Sequence, residues 1–387
     1  MTKLEMAFEP DIVVIGAGIA GTSIAAHLAL HRQVQLIEME RQPGYHSTGR
    51  SAAVFSEAYG NETIRALTRA SREFFFDPPV GFAETPLVMP RRVLLIARRG
   101  QERALDAFVG MAREAGHIER QSADEALALC PVLRRESLAA AALSNSPADI
   151  DVHQLQQGYL RLFRQRGGVA TMDSPILGLD CGTSGWRVRT ATGEARAPLI
   201  VNAAGAWADS IGLLAGAANI GLRPLRRTVC LIDPPAGQSS AAWPMLLNVE
   251  EEFYLKPDAG MLLLSPADET TTDPCDAQAD ELDIAIAVDR LEQATCLQVQ
   301  RIVRKWAGLR SFVHDRSPVV GFDPRQPGFF WLAALGGYGI QTAPALSAIA
   351  ADLILGTDRG DALRAAGIDV ASISPERLIV RGLEQLA

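Results

Sequence analysis

Cysteine is scarce in this chain. Five residues (Cys130, Cys181, Cys230, Cys275 and Cys296) are scattered over 387 positions, odd in number and never spaced as C-x-x-C. That distribution argues against a disulfide framework and a zinc cage, so no metal site is expected, and it fits buried thiols in a reducing, cytoplasmic setting. A basic surplus is also missing. Asp and Glu number 45 against 37 Lys and Arg, for a formal net charge of -8. Without a broad positive field to hold phosphates, nucleic acid is not an expected partner. No uninterrupted apolar run is long enough to suggest a membrane span. The nearly charge-free stretch from Ile12 to Leu30 is broken by Gly16, Gly18 and Gly21, and no basic segment precedes it. It therefore reads as a buried strand and helix, not as a transmembrane segment or leader. Internal repeats, low-complexity tracts and long charge runs are absent too.

What is present is an ordinary globular mixture, 48% hydrophobic and 21% charged, in a chain longer than one typical domain. It opens as strand, glycine turn, helix, strand: Ile12 to Ile15, Ile19 to His31, Val34 to Glu38. This is the βαβ pattern of a mononucleotide-binding unit, and it implies a parallel sheet. A loop from Gln42 to Ala53 follows, then a helix from Glu62 to Phe76. Val93 to Ala97 reads as a strand, and Gln101 to Ala115, Ala123 to Leu129 and Val152 to Arg166 read as helices. Strands around Ile176 to Leu179, Trp186 to Thr190 and Pro198 to Asn202 lead into the turn AAGAWAD. From Gly221 to Phe312 the pattern is mostly alternating strands with one helix, Glu281 to Ala294, as in an antiparallel sheet. Phe329 to Leu335, the GGYG turn and a helix from Gln341 to Leu355 restore the strand, glycine turn, helix order. The expected fold class is α/β. A discontinuous Rossmann-type nucleotide domain (1–78, 146–220 and 315–387) accompanies an α+β substrate domain (79–145 and 221–314) with a mostly antiparallel sheet.

Gly16, Gly18 and Gly21 form G-x-G-x-x-G between strand and helix. There a missing Cβ serves, in turn, a tight turn, close approach of a pyrophosphate and helix-on-strand packing. The helix N-terminus adds free N–H groups and the positive end of its dipole. Glu38 closes the second strand, where a carboxylate can accept hydrogen bonds from ribose hydroxyls and repels a 2′-phosphate. Together these point to a dinucleotide; alone they do not separate FAD from NAD.

The next segment, QPGYHSTGRSAAVFSEAYG, resembles the flavin-binding loop of the D-amino acid oxidase superfamily, in particular of its bacterial FAD-dependent D-arginine dehydrogenases. The resemblance runs on in order through ASREFF, PPVGF, PVLRR, QGYLR, VNAAGAWAD, WPML, FYLKPDAGMLL, WAGLRSF and GGYGIQT, nearly the whole chain. It implies FAD, held non-covalently, since no cysteine stands in the stretch after Arg310 where sarcosine oxidases attach theirs. Along the cofactor it places Ser47, Thr48, Arg50, Ser51, Ala52, Gly205, Gly336, Gly339, Ile340 and Gln341. The hydroxyls, backbone donors and one guanidinium of the loop suit diphosphate and ring heteroatoms. The Gly336 to Gly339 turn precedes a second helix start, which can stabilise negative charge on a reduced flavin. His46 reads equally as a cofactor contact or a loop cap.

A substrate carboxylate needs a cation, and Arg227 and Arg310 are the candidates for a bidentate pair. Arg310 sits among apolar residues in WAGLRSF; only the resemblance favours Arg227 over Arg226. Tyr59 and Tyr254 are candidates to hydrogen-bond the carboxylate or amine, or are packing tyrosines, and Gly337 joins them by resemblance. Lys256 shares a strand face with Tyr254 but reads as a solvated hairpin lysine. Two departures bear on specificity. Val54 stands where the D-arginine dehydrogenases carry a histidine, and Val93 where they use a glutamate against the substrate guanidinium. Burying a cation without that acid would be costly, so a neutral, apolar substrate side chain is expected, with Glu84 as a nearby acid that could partly restore a basic preference. The implied reaction is hydride transfer from Cα of a D-amino acid to flavin, with an arginine pair fixing orientation and no obligatory side-chain base. The resulting imino acid hydrolyses to a 2-oxo acid and ammonia. Rival readings are oxidation of a secondary or cyclic amino acid such as sarcosine or proline, and a flavin-binding subunit of a larger dehydrogenase. The motifs identify no electron acceptor.

Overall fold

The computed structural model describes residues 9–112, 118–357 and 367–379. Its first layer grows from the apolar strand Ile12–Ile15, paired in parallel with Val34–Ile37 on one side and Leu199–Asn202 on the other. Val169–Thr171 and Phe329–Ala333 extend this parallel sheet, and Val319–Phe322 adds an antiparallel edge, six strands in all. Because Val34–Ile37 and Val169–Thr171 add to one side of Ile12–Ile15 and Leu199–Asn202 and Phe329–Ala333 to the other, the strand order reverses at its C-terminal end. That crevice is where open α/β sheets bind ligands. The helices Ile19–Leu28, Val152–Gln165 and Gly339–Leu355 pack on one face around a core that includes Val14, Ile24, Leu155, Leu332 and Leu346. The other face is covered by the antiparallel meander Ile176–Gly182, Gly185–Thr190 and Glu194–Ala197 and the helix Ala208–Ala215.

The second layer is a nine-stranded, mostly antiparallel sheet. Its strands come from 93–97, 118–121 and 140–144 and from 223–232 through 302–312, with one parallel pair between Met245–Asn248 and Val93–Ala97. Three helices match the expected bounds, Glu62–Phe76, Ala123–Leu129 and Glu281–Ala294, because each starts at a side-chain cap, Ser122 in the second. The Asn61 side chain accepts from the Ile64 N–H, and that of Asp280 from the Leu282 N–H. The helix expected from Gln101 is seen as Glu102–Ala112; the rest of that expectation lies outside the described residues. No helix of the described residues is long and apolar enough to cross a membrane, and no group of three or more His, Cys, Asp or Glu among them could hold a metal ion.

Candidate active site

The first glycine turn is built for contact without side chains. Gly16 has φ +101°, and a Cβ there would meet the Ala203 carbonyl oxygen at 2.5 Å; a Cβ on Gly21 would overlap the Gly16 carbonyl. Gly21 lines none of the three cavities described below and acts through this packing. The helix Ile19–Leu28 has no cap of its own, since its N-cap is Gly18. Thr48, in the short 3-10 turn Ser47–Arg50, supplies the cap from the loop: its Oγ1 accepts from the Ile19 N–H at 3.0 Å. Glu38 ties the same turn from below, its two carboxylate oxygens accepting from the Ala17 and Glu40 N–H groups.

Three adjoining cavities run from this turn. The first, about 1100 Å³, is lined by Gly16, Glu38, His46, Thr48, Gly205 and Trp207 among others. It shares Gly18, Ser47, Thr48 and Gly205 with the second, about 930 Å³, where Arg50, Ser51, Ala52, Gly336, Gly339 and Ile340 also lie. The third, about 1160 Å³, shares Ser51, Ala52, Arg227, Tyr254, Arg310, Gly337 and Ile340 with the second. A long path thus leads from a buried carboxylate, past a Cβ-free helix start, to a second glycine turn. Those are the donors and clearances a dinucleotide with a flat ring requires, so the residues fit FAD. None of the five cysteines lines any of the three. His46 lines the first cavity, bonded to Glu40 at 2.9 Å and packed on Trp207.

The wall of the third cavity is one face of the nine-stranded sheet. Pairing puts Val93 opposite Met245 and Ser144, Leu95 opposite Leu247, and Leu247 opposite Tyr254. Across the sheet Arg227 lies opposite Gly308 and Leu225 opposite Arg310, which makes Arg227 and Arg310 diagonal neighbours on that face. The two-residue period sends Arg226 to the other side, where it pairs with Asp280 and Asp283. Alternation thus puts Arg227, and not Arg226, on the cavity face. Val54, Tyr59, Phe108 and Gln341 also line it.

The two cavity arginines differ. Arg227, 5% exposed, donates to the Asp268 carbonyl at 2.8 Å and to Glu269 at 3.3 Å. Burial opposes the Glu269 charge, but Arg316, Arg227 and Arg310 outweigh it and hold the carboxyl below its ordinary range. Arg227 therefore has an ionised partner. Arg310 donates to the Tyr59 hydroxyl at 3.3 Å and has no carboxylate partner within ion-pair distance among the described residues. Gly337 makes room for it: a Cβ there would stand 2.8 Å from the guanidinium carbon. Tyr338 braces Tyr59 edge to face at 5.1 Å, and burial pushes its phenol up to about 12, so it remains neutral.

Four expectations are corrected. Lys256 is no solvated hairpin lysine: it is 5% exposed, and its Nζ reaches Asp149 at 3.2 Å and the Ala52 carbonyl at 3.5 Å. The guanidinium of Arg50 is taken up by the Tyr45, Ala277 and Ala307 carbonyls and by Asp276, so it latches the loop to the sheet layer and does not reach out to phosphate. Glu84 is exposed and absent from the cavity lining. The thiols expected to be buried are so at Cys130 and Cys230, whereas Cys181, Cys275 and Cys296 are exposed. Gln341 lines the third cavity, next to the Gly337 and Ile340 that the third shares with the second. Sequence reasoning passed over Glu251, an exposed carboxylate at the rim, and Met245, Leu247 and Phe108 in the wall. Met245 lay inside the WPML motif, and the others carried no signal.

Asp149 also bonds Arg91 at 2.7 Å, so one carboxylate serves two cations beneath the loop. Asp149→Ala is expected to cost about 2–4 kcal/mol, because it strands Lys256 and Arg91. Chemical unfolding of the holoprotein checks this, with Lys256→Met as the milder comparison.

The comparisons with known proteins agree with this geometry. An uncharacterised oxidoreductase of Bacillus subtilis, YurR, is 24% identical over 89% of this chain and 94% of its own. The crystal structure of glycine oxidase from Geobacillus kaustophilus superposes with a TM-score of 0.81 at 19% identity, covering 95% of this chain and 98% of that one. L-Proline dehydrogenase from P. horikoshii does so with a TM-score of 0.77 at 20% identity, covering 97% and 98%. The family model described as FAD dependent oxidoreductase matches residues 11–353. With its glycine turns, buried Glu38 and connected cavities, the chain belongs to the FAD-dependent oxidoreductase family, and FAD is its cofactor.

Proposed function

We propose that the chain oxidises the Cα–N bond of a small D-amino acid with a neutral side chain, giving an imino acid that hydrolyses to a 2-oxo acid and ammonia. The observation that carries this reading is Arg310, a cation without a carboxylate partner among the described residues, at the junction of the cofactor path and an apolar cavity. A substrate carboxylate supplies the missing charge in bidentate form. FAD, when bound, supplies the two-electron acceptor for the Cα hydride. The protein fixes orientation at two points. Arg310, with Tyr59 and Tyr254 beside it, holds the carboxylate, and Val54, Val93, Leu95, Met245 and Leu247 receive the side chain and exclude water. Two anchored substituents decide which Cα substituent faces the ring, which is the source of stereoselectivity. The preference for the D series rests on the resemblance of the cofactor loop and of FYLKPDAGMLL, and the neutral side chain on Val54 and Val93.

Glycine oxidase and L-proline dehydrogenase, by their names, act on a primary and a cyclic secondary amine within this fold. The discriminating experiment is anaerobic mixing of the holoprotein with D- and L-amino acids, glycine, sarcosine and proline while the oxidised flavin band is followed. Fast bleaching by neutral D-amino acids, with D-arginine poor, is expected. Bleaching by sarcosine or proline alone would replace the reading with secondary-amine oxidation.

A further inference from the structure

Gln341 stands in the first turn of the helix Gly339–Leu355 and is 3% exposed. Its Oε1 accepts the Ser56 backbone N–H at 3.1 Å. That bond fixes the amide, because a backbone donor needs the oxygen and not the NH2 group. Nε2 is therefore the end left over, and it is buried without a hydrogen-bond partner. A buried donor left unmade is costly, and native structures seldom keep one without a reason. Gln341 lines the third cavity, where the surrounding wall is Val54, Ala58, Val93, Phe108 and Leu247. Arg227, Arg310 and Tyr254 line both that cavity and the cofactor path, whereas Gln341 lines the third cavity and is not among the residues of the second.

We infer that the Gln341 carboxamide is a specificity-determining donor, and that the preferred substrates are D-amino acids whose uncharged side chain carries a hydrogen-bond acceptor, a carboxamide or hydroxyl. This rests on the functional reading above and narrows it. A hydrocarbon side chain of the same shape fills the wall but leaves Nε2 unpaired, and a site built around a polar contact rejects the analogue that lacks it.

The test uses isosteric pairs on the holoprotein. With wild type, kcat/KM is compared for D-asparagine against D-leucine and for D-threonine against D-valine. The acceptor-bearing member is expected to lead by about tenfold or more. Gln341→Glu keeps an oxygen for Ser56 and removes the donor. Its readout is equilibrium binding of two non-oxidisable carboxylates, succinamate and 4-methylpentanoate, followed by perturbation of the flavin spectrum. The affinity ratio in favour of succinamate is expected to fall by about tenfold or more in the variant. An equal or reversed preference in wild type overturns the inference, whatever the variant does. So does an unchanged ratio in the variant, or a change in the flavin spectrum of the free holoprotein with no change in ratio, which would assign Nε2 to the cofactor. If no D-amino acid bleaches the flavin while sarcosine or proline does, the functional reading fails and takes the inference with it; a failed isostere comparison among reactive D-amino acids leaves that reading standing.

Discussion

Replacing Arg310 by Met is expected to lower kcat/KM by about 30-fold to several-thousand-fold while the protein keeps its flavin. Truncating one member of a buried, hydrogen-bonded charge pair costs about 2–5 kcal/mol, and each 1.4 kcal/mol is about tenfold. The upper part of that range is expected, for a reason visible in the two arginines. Arg227 already has Glu269, itself held ionised, so part of its charge is spent within the protein. Arg310 bonds the Tyr59 hydroxyl and has no carboxylate within ion-pair distance among the described residues, so more of its charge is available to the ligand. The effect should fall on the affinity for any carboxylate, oxidisable or not, and a titration with an inert one separates it from damage to the chemistry. Arg226→Met is the control. Its side chain is on the opposite face of the same strand with Asp280 and Asp283, so it should change stability and leave the affinity within about twofold, the small effect expected of a site that shares no contacts with the ligand. An Arg310→Met enzyme that bound carboxylates as tightly as wild type would mean that the clamp lies elsewhere.

The contrast between these arginines also marks where the sequence was legible. The Gly16–Gly21 turn, the central strands and the helices Glu62–Phe76 and Glu281–Ala294 could be read directly, because glycine spacing, Asx caps and apolar periodicity are local properties. Arg227 was legible over its neighbour only through resemblance, whereas Arg310 was also marked by its apolar neighbours in WAGLRSF, and the structure brings both onto one cavity. What could not be read depends on distant partners. Whether Arg226 or Arg227 faces the cavity is decided by a strand more than seventy residues away, through the Arg227–Gly308 register. Lys256 looks solvated beside its Pro-Asp-Ala-Gly turn, and it is buried because Asp149 comes from a different sheet to meet it. Gln341 reads as one more residue of a cofactor-binding helix start until the Ser56 N–H, 285 positions earlier, takes its amide oxygen and leaves Nε2 buried without a partner. Glu84 shows the converse: closeness along the chain suggested a role, yet its side chain is in solvent.

Gly16→Ala should have the largest effect on the cofactor. Alanine at φ +101° is strained by about 1–3 kcal/mol whatever surrounds it. Its Cβ would also stand 2.5 Å from the Ala203 carbonyl, in the strand-to-turn segment that shares both cofactor cavities. Backbone on both sides means that no flexible side chain can absorb the overlap. Two responses remain. If the turn keeps its shape, the strain appears as lost stability of the folded chain. If it relaxes, the strain is relieved but the Ala17 N–H leaves the Glu38 carboxylate and the helix start moves off the cofactor path. The second response should dominate, because paired strands on both sides hold Ile12–Ile15 in place while the turn is held by single hydrogen bonds to Ile37, Glu38, Gly44, Thr48 and Gln156. At about tenfold per 1.4 kcal/mol, even the strain alone corresponds to roughly 5- to 150-fold weaker binding, and the overlap adds to it. The measurement is flavin content after gel filtration, set beside the unfolding midpoint of apoprotein and holoprotein. A variant that kept full flavin content and lost no stability would show that the glycine turn is not the cofactor's seat, and the assignment of the cavities would have to be reversed.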